Sequence, residues 1–425
     1  MKIEEFISNP IESFIKAERY VNDGSRSNIN NTTSENTRPL SGTISFAAKI
    51  FRFNDKVTVE EFGNMPCWSI PKDCIVVHPD MVENEFISPN ISEKPLDIIV
   101  VPTASGRTVF NLTNKTFIKL AYTEILGRIP RHMTKEKIQS SCEVTNILKR
   151  IIDENKVNQR FSIFREDYGK IAYLPLGNVM YELGVLFRES SPYPYIDECE
   201  SLIPFFSLFS KEYIPGTDRT PCIEQDEPLI IQLFKKQTLP LAVFLIDNIL
   251  KPLFHTYFDA LIFGGIELEA HAQNMLLTIN KDFQIKRIVC RDLESAGRDI
   301  PLMQHFNIQY NDIASGYKYN THKIKNCGEK YDSYHRTHSF MFDFKLGEYI
   351  VSPIINCICN YNNDVDRDNL LTQIKDFNQQ FINKLPSGFF PPEWCDYEDR
   401  VWNEGEKKEY NWHKNPKYRH VQGDV

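Results

Sequence analysis

The sequence predicts an α+β fold, and three observations carry that prediction. From Ile44 to about Leu120 the chain holds short β-branched and aromatic runs separated by Pro, Gly and Asn turns, the pattern of strands. After Thr134, a good N-cap, the pattern turns helical. From Leu229 to Phe263 the chain is apolar over much of a helical circumference, as a central buried helix would be. The length of 425 residues, with 41% hydrophobic and 25% charged residues, predicts a folded, soluble protein of two or three lobes.

Each element follows in turn. Ile3 to Val21 reads as one amphipathic helix. Asn22 to Thr43 is nearly all Asn, Ser, Thr, Gly and Arg, with Ile29 and Leu40 as its sizeable aliphatic side chains. Such a stretch cannot offset its ordering entropy, so a mobile linker or lid is expected. Strands are expected at Thr43–Ala47, Lys49–Phe53, Cys74–His78, Asp97–Val101 and Thr116–Leu120. The helix after Thr134 runs through Lys149 and beyond, with Ile138, Val144, Ile147, Leu148 and Ile151 as its apolar positions. Phe161 to Pro175 returns to a charged strand and turn. The buried helix is hinged at Pro240, with a kink expected at Pro252, and ends at Gly264-Gly265. From Leu346 the chain is helical to Phe381, then rich in Pro and Trp. The expected organisation is an N-terminal helix and linker (1–43), a strand-rich lobe (44–150) and a helical and mixed lobe (151–425). No period of 20–50 residues recurs, which excludes solenoids and propellers.

The net charge of −8 argues against gripping nucleic acid or an acidic membrane, while leaving room for a small anion in a local basic pocket. Glu4, Glu5, Glu12, Lys16 and Glu18 interrupt the start, so no signal peptide is expected. The apolar stretch Leu239–Ile246 is far short of the ~20 residues that cross a bilayer. Ten scattered cysteines read as reduced thiols in a cytosolic protein, with Cys357 and Cys359 spaced as on one strand face.

Three groups could carry chemistry. Ser105, Gly106, Arg107 and Thr108 form a hydroxyl-and-guanidinium loop between two strands, followed by Lys119 on a strand and then Arg131. Hydroxyls, backbone N–H groups and an Arg fork suit a phosphate chain, and a strand lysine aimed at it is similar to kinase-type sites. A hairpin turn with surface cations would read the same way. In Glu267-Leu-Glu-Ala-His-Ala-Gln-Asn, alternation would put Glu269, His271 and Gln273 on one side of an extended or loop segment. Asn274 then opens the apolar strand Met275–Ile279. Eighteen residues on, Asp292 closes the strand Ile288-Val-Cys-Arg-Asp. An Asn and an Asp at the two ends of a hairpin of this length are hard oxygen ligands suited to Mg²⁺ on nucleotide phosphates. A hairpin with polar ends is the plainer alternative. No P-loop and no Rossmann glycine pattern is present.

These residues resemble the NRPS-independent siderophore synthetases, the aerobactin-synthetase-like (IucA/IucC) ligases, from about Pro71 to the C-terminus. Ile75-Val-Val-His-Pro looks like the family's Pro-Val-His-Pro-Trp-Gln segment, and Pro102–Thr108 like its Pro-Thr-x-Ser-x-Arg-Thr. Phe117-Ile-Lys-Leu is similar to its Leu-Lys-Leu strand. Gly265–Leu276 is similar to its Gly-Ile-x-x-Glu-x-His-x-Gln-Asn-x-Leu, followed by Arg291-Asp292 as its Arg-Asp motif.

The resemblance implies a cupped-hand architecture of fingers, palm and thumb around a central ATP cleft. It implies a ligase that adenylates a carboxylic acid, citrate-like or another polycarboxylate, and passes it to an amine or hydroxyl. ATP would be held by Ser105, Arg107, Thr108, Lys119, Arg131 and Gln273, and Mg²⁺ by Asn274, Asp292 and Glu269. His271, Arg131 and Lys119 would be catalytic, with Arg131, His271 and Arg128 facing the substrate carboxylate. Departures fall at Asp80-Met81, Leu126-Gly127-Arg128 and Leu293-Glu-Ser-Ala-Gly, and the family's front domain looks largely absent. Two other readings compete, a small-molecule phosphotransferase and a non-catalytic nucleotide-binding relative. Trp394–Trp412 is expected to pack a C-terminal tail or to form a homodimer contact.

Overall fold

The computed structural model describes residues 1–23, 35–64, 70–82, 87–126, 129–196, 200–217, 219–223, 226–310, 333–397 and 410–421. Within them the fold is mixed α+β, built on two sheets whose seam places the candidate site. The larger is antiparallel throughout, in the order β2 (Thr58–Gly63), β10 (Tyr168–Leu176), β11 (Val179–Glu189), β6 (Thr116–Leu120), β5 (Thr108–Asn111), β4 (Leu96–Pro102), β1 (Phe46–Arg52), β3 (Cys74–Val77). The smaller runs β12 (Ser201–Pro204), β14 (Met275–Ile279), β15 (Ile285–Cys290), β9 (Phe161–Ile163), with β15 and β9 parallel. Hairpin β7 (Tyr122–Leu126) and β8 (Ile129–Arg131) stands apart, as do the pairs β13 (Ile266–Glu267) with β16 (Gly297–Arg298) and β17 (Trp394–Tyr397) with β18 (Tyr410–His413).

Strand alternation explains the seam. On β6, Ile118 and Leu120 enter the core of the large sheet, while Phe117 faces the other way, and Lys119 shares its side. Phe117 joins Val101, Phe110, Phe14, Phe164, Leu276 and Val289 in a small apolar cluster that glues the two sheets together. Helix α3 (Lys135–Asp153) braces both lobes. Thr134 caps it, its side chain accepting from the Lys137 N–H at 3.4 Å, and Ile138 packs on the large sheet while Val144–Ile152 enter the helical core.

Several expectations are corrected. The first helix is two, α1 (Glu5–Ser8) and α2 (Pro10–Tyr20), because Pro10 cannot donate to a continuing helix and instead opens the second. Part of the expected linker, 24–34, lies outside the described residues. Its end, residues 37–41, is packed: Arg19 donates to the carbonyls of Pro39 (3.1 Å) and Ser41 (2.8 Å), over a buried Leu40. The boundary drawn at residue 150 does not part the lobes, since β10 and β11 insert into the middle of the strand-rich sheet.

Pro240 does separate α4 (Leu229–Lys235) from α5 (Leu241–Val243), but Pro252 interrupts nothing. It sits in the first turn of α6 (Lys251–Gly264), directly after a π-helical stretch, Phe244–Leu250, that relaxes the hydrogen-bond ladder ahead of it. After α7 (Ile300–His305), the described C-terminal helices begin earlier than expected, with α8 (Ser333–Ser339) and a second π stretch, Phe340–Val351. They continue as α9 (Ser352–Tyr361) and α10 (Arg367–Ile382). Cys357 and Cys359 therefore lie on a helix, and the described cysteines are free thiols. Trp394 is buried and stacks on His413 at 4.3 Å, so this part of the tail packs on itself.

Candidate active site

Three chain segments meet where the sheets join. The first is the 103–107 loop between β4 and β5. Its backbone is pinned by Thr103 Oγ1, which donates to the Thr108 carbonyl (2.9 Å), and by a contact of His78 Nε2 with the Gly106 carbonyl (2.9 Å). The Arg107 carbonyl accepts from Leu120 N–H at 2.9 Å, and Thr108 sits directly across the ladder from Lys119. Arg107 reaches out of the loop to the carbonyl of Arg131 (3.3 Å) and to Glu294 (2.7 Å).

The second segment is the end of β15. Asp292 has φ 68° and ψ 46°, a left-handed conformation that Asp tolerates better than most residues, and it is held there by its neighbours. Glu166, fully buried, accepts from the Asp292 N–H at 2.6 Å and the Leu293 N–H at 3.2 Å, and pairs with Arg188 Nε at 2.5 Å. Arg188 also reaches Asp292 at 3.0 Å, and the Lys119 ammonium bonds the same Asp292 oxygen. Lys119 is bonded to Glu294 as well, at 2.9 Å. The two residues that the sequence placed on distant strands are thus in direct contact.

The electrostatics follow from this packing. Burial pushes the Asp292 carboxyl up, but Lys119, Arg188 and Arg107 outweigh it and hold the group well below the usual carboxylate range. Burial likewise opposes ionisation of Glu294, whose carboxyl is nevertheless held at about 2 by Lys119 and Arg107. Arg131 lies within the field of Arg107, Asp292, Glu269 and Glu294, so it belongs to the same cluster. Arg128 falls outside the described residues.

The third segment is 267–274. The expected alternation holds within a turning loop: Leu268, Ala270 and Ala272 are buried in the core while Glu269, His271 and Gln273 are partly exposed, with His271 N–H donating to the Glu269 carbonyl (2.9 Å) and Asn274 N–H to the His271 carbonyl (2.9 Å). The Asn274 carbonyl accepts from Arg291 N–H at 2.9 Å, so Asn274 and Asp292 do share the open end of one hairpin. The Asn274 side-chain amide donates to the Glu269 carbonyl at 3.1 Å, leaving its oxygen as a possible ligand atom. Glu269 pairs with Lys345 at 3.0 Å. His271 Nδ1 accepts from Gln273 N–H at 3.2 Å, which leaves the proton on Nε2, and burial brings its pKa down to about 4. His271 is therefore a neutral donor at neutral pH. Gln273 contributes its carbonyl, which accepts from Arg291 Nε at 2.8 Å.

Among the described residues no three His, Cys, Asp or Glu side chains form a ready metal cluster. The expected ligands Asp292 and Glu269 instead have chain cations on them, Lys119 and Arg188 on one and Lys345 on the other.

Sequence reading missed Glu166, Arg188, Glu294, Lys345 and Glu18. The last comes from α2: Glu18 is buried, bonds Arg291 at 2.6 Å and accepts from the Ala104 N–H at 3.4 Å, joining the loop to the Arg-Asp strand. One signal was available for Arg188, a guanidinium directly after the apolar strand run Val-Leu-Phe, which implies a buried partner.

The chain is similar to several known proteins. The model of the IucA / IucC family matches residues 82–210. A citryl-spermidine/3,4-dihydroxybenzoyl-citryl-spermidine:spermidine ligase of Bacillus anthracis is 27% identical over 51% of this chain and 35% of its own length. A 2-[(L-alanin-3-ylcarbamoyl)methyl]-3-(2-aminoethylcarbamoyl)-2-hydroxypropanoate synthase of Staphylococcus aureus is 27% identical over 53% of this chain and 37% of its own. The matched stretch thus spans little more than a third of either relative.

Among solved structures, the petrobactin biosynthesis protein AsbB of B. anthracis superposes with a TM-score of 0.66 at 18% identity, covering 95% of this chain and 75% of that one. ATP-bound aerobactin synthetase IucA of Klebsiella pneumoniae gives 0.60 at 14% identity, covering 83% and 66%. These likenesses show the same fold. The family match to residues 82–210 and the shared fold both point to the IucA / IucC family.

Proposed function

We propose that this protein is an ATP- and Mg²⁺-dependent ligase that activates a polycarboxylic acid as its acyl adenylate and transfers it to an amine or hydroxyl, in siderophore or related biosynthesis. The observation that carries this reading is the convergence of Lys119, Arg107, Arg131 and Arg188 on Asp292 and Glu294 at the sheet seam. The cleft of a cupped hand would lie along that seam, in a protein that works in the cytoplasm. No described helix is long and apolar enough to cross a membrane.

A carboxylate attacking an α-phosphate must approach another anion, so cations held between the two reactants supply most of the help. Lys119 and Arg107 would turn from Glu294 and Asp292 to the phosphates, with Ser105 and Thr108 as hydroxyl donors beside them. Arg131 and the neutral Nε2–H of His271 would orient the acid. The donor set fits Mg²⁺: Asp292, Glu269 and the Asn274 oxygen are hard ligands, and Glu294 Oε2 is a buried oxygen with no hydrogen-bond partner. Bound there, the ion would neutralise phosphate charge and orient the chain of phosphates.

Product analysis with a panel of di- and tricarboxylic acids, with and without polyamines, tests the reading. Acid-dependent release of AMP and pyrophosphate is expected. Formation of ADP and a phosphorylated acceptor would instead make the protein a phosphotransferase, and nucleotide binding without turnover of any pair would make it a non-catalytic relative.

A further inference from the structure

Glu294 stands where neither the motif nor the comparisons assign a role. Its side chain is 8% exposed, and one oxygen takes both cations that the reading above gives to phosphate, Arg107 at 2.7 Å and Lys119 at 2.9 Å. The other oxygen is buried with no hydrogen-bond partner. The carboxyl group faces the Lys119 ammonium, whose other partner is Asp292. A 3₁₀ turn, Leu293–Ser295, fixes this placement two residues beyond Asp292.

A buried carboxylate stripped of its partners is costly. When phosphates take Lys119 and Arg107, Glu294 loses both counter-charges together. A divalent cation arriving with the nucleotide would replace them, and the unpartnered oxygen is ready to receive it. A metal arriving without nucleotide meets the same two cations and is repelled. Resting on the functional reading above, we infer that Glu294 is a ligand for the nucleotide-bound divalent cation, and that it makes metal and nucleotide bind cooperatively by exchanging two chain cations for one metal ion.

The test compares ATP affinity in EDTA with affinity in excess Mg²⁺, by titration calorimetry, for the full chain and for Glu294→Gln and Glu294→Asp. The wild type is expected to bind Mg·ATP at least about tenfold better than metal-free ATP, within the range of ordinary coupling energies. Glu294→Gln removes the charge that metal-free ATP strands, so it should bind metal-free ATP about tenfold more tightly than wild type, the worth of a charge-assisted hydrogen bond. Its preference for Mg·ATP should fall correspondingly, while Glu294→Asp keeps the preference.

An unchanged ratio in Glu294→Gln, or weaker metal-free binding, overturns this inference and leaves the functional reading standing. A wild type that binds no nucleotide overturns both. If Glu294→Gln does not fold, wild-type Mn²⁺ binding followed by electron paramagnetic resonance decides. The protein must then hold Mn²⁺ more tightly with ATP present than free ATP does, and failure to do so overturns the inference.

Discussion

Replacing Lys119 with Met removes the ammonium shared by Asp292 and Glu294 while keeping most of the side chain's volume. Breaking one partner out of a buried ion cluster leaves uncompensated charge, which costs about 3–5 kcal/mol. The electrostatics of Glu294 give a compatible figure. Burial pushes its carboxyl up, yet Lys119 first and Arg107 second bring it from an ordinary value near 4.5 to about 2, a gap equivalent to about 3 kcal/mol of folding stability. Arg107 survives in the variant, so a loss of about 2–3 kcal/mol at pH 7 is expected.

The pH dependence fixes the sign. A depressed carboxylate stabilises fully above its unfolded value and loses that contribution as pH falls towards the folded one. The gap between wild type and Lys119→Met should therefore shrink by about half between pH 7 and pH 3. Urea unfolding followed by tryptophan fluorescence at both pH values measures it. A variant as stable as wild type at pH 7, or a gap that does not narrow in acid, would refute the reasoning.

Three further expectations follow from the same packing. Glu18→Ala strands the buried Arg291 guanidinium and unpins the 103–107 loop, so it should lower stability by about 3 kcal/mol in urea and raise the KM for ATP. Rescue of KM by Glu18→Gln, which can still accept hydrogen bonds, would separate positioning from charge. His338 is buried with Glu267 at 2.9 Å and Asp299 at 3.3 Å; burial alone would lower its pKa, but these carboxylates raise it to about 9. Its contribution is complete below the unfolded value near 6.5 and is lost as pH rises through 9, so the Tm deficit of His338→Gln should be larger at pH 6 than at pH 9.5. His271, with its pKa near 4, should stay neutral in a histidine NMR titration from pH 8 to pH 5, and a midpoint above 6 would contradict its assignment as a neutral donor.

Much of the fold was legible because local signals agreed with it. The alternation Phe117–Ile118–Lys119–Leu120 gives both the strand and its two faces, Thr134 marks the start of α3, and Met275–Ile279 with Ile285–Cys290 form the expected hairpin. What stayed hidden depends on partners far apart in the chain. Glu18 and Arg291 are 273 residues apart, and no periodicity links them. Glu166 looks like an ordinary charge between strands, and the apolar run before Arg188 does not say which partner it meets until β10 and β11 insert beside β6 and turn Arg188 toward Asp292. The alternation of Glu269, His271 and Gln273 was legible, but side-chain spacing alone does not reveal the backbone bonds from His271 to Glu269 and from Asn274 to His271 that turn the chain there.

The most direct measurement is a crystal structure of the protein soaked or grown with Mg²⁺ and a non-hydrolysable ATP analogue. The account predicts triphosphate density between Lys119 and Arg107, a metal ion on Asp292, and the Lys119–Asp292 bond broken. Nucleotide bound elsewhere, with that bond intact, would contradict it.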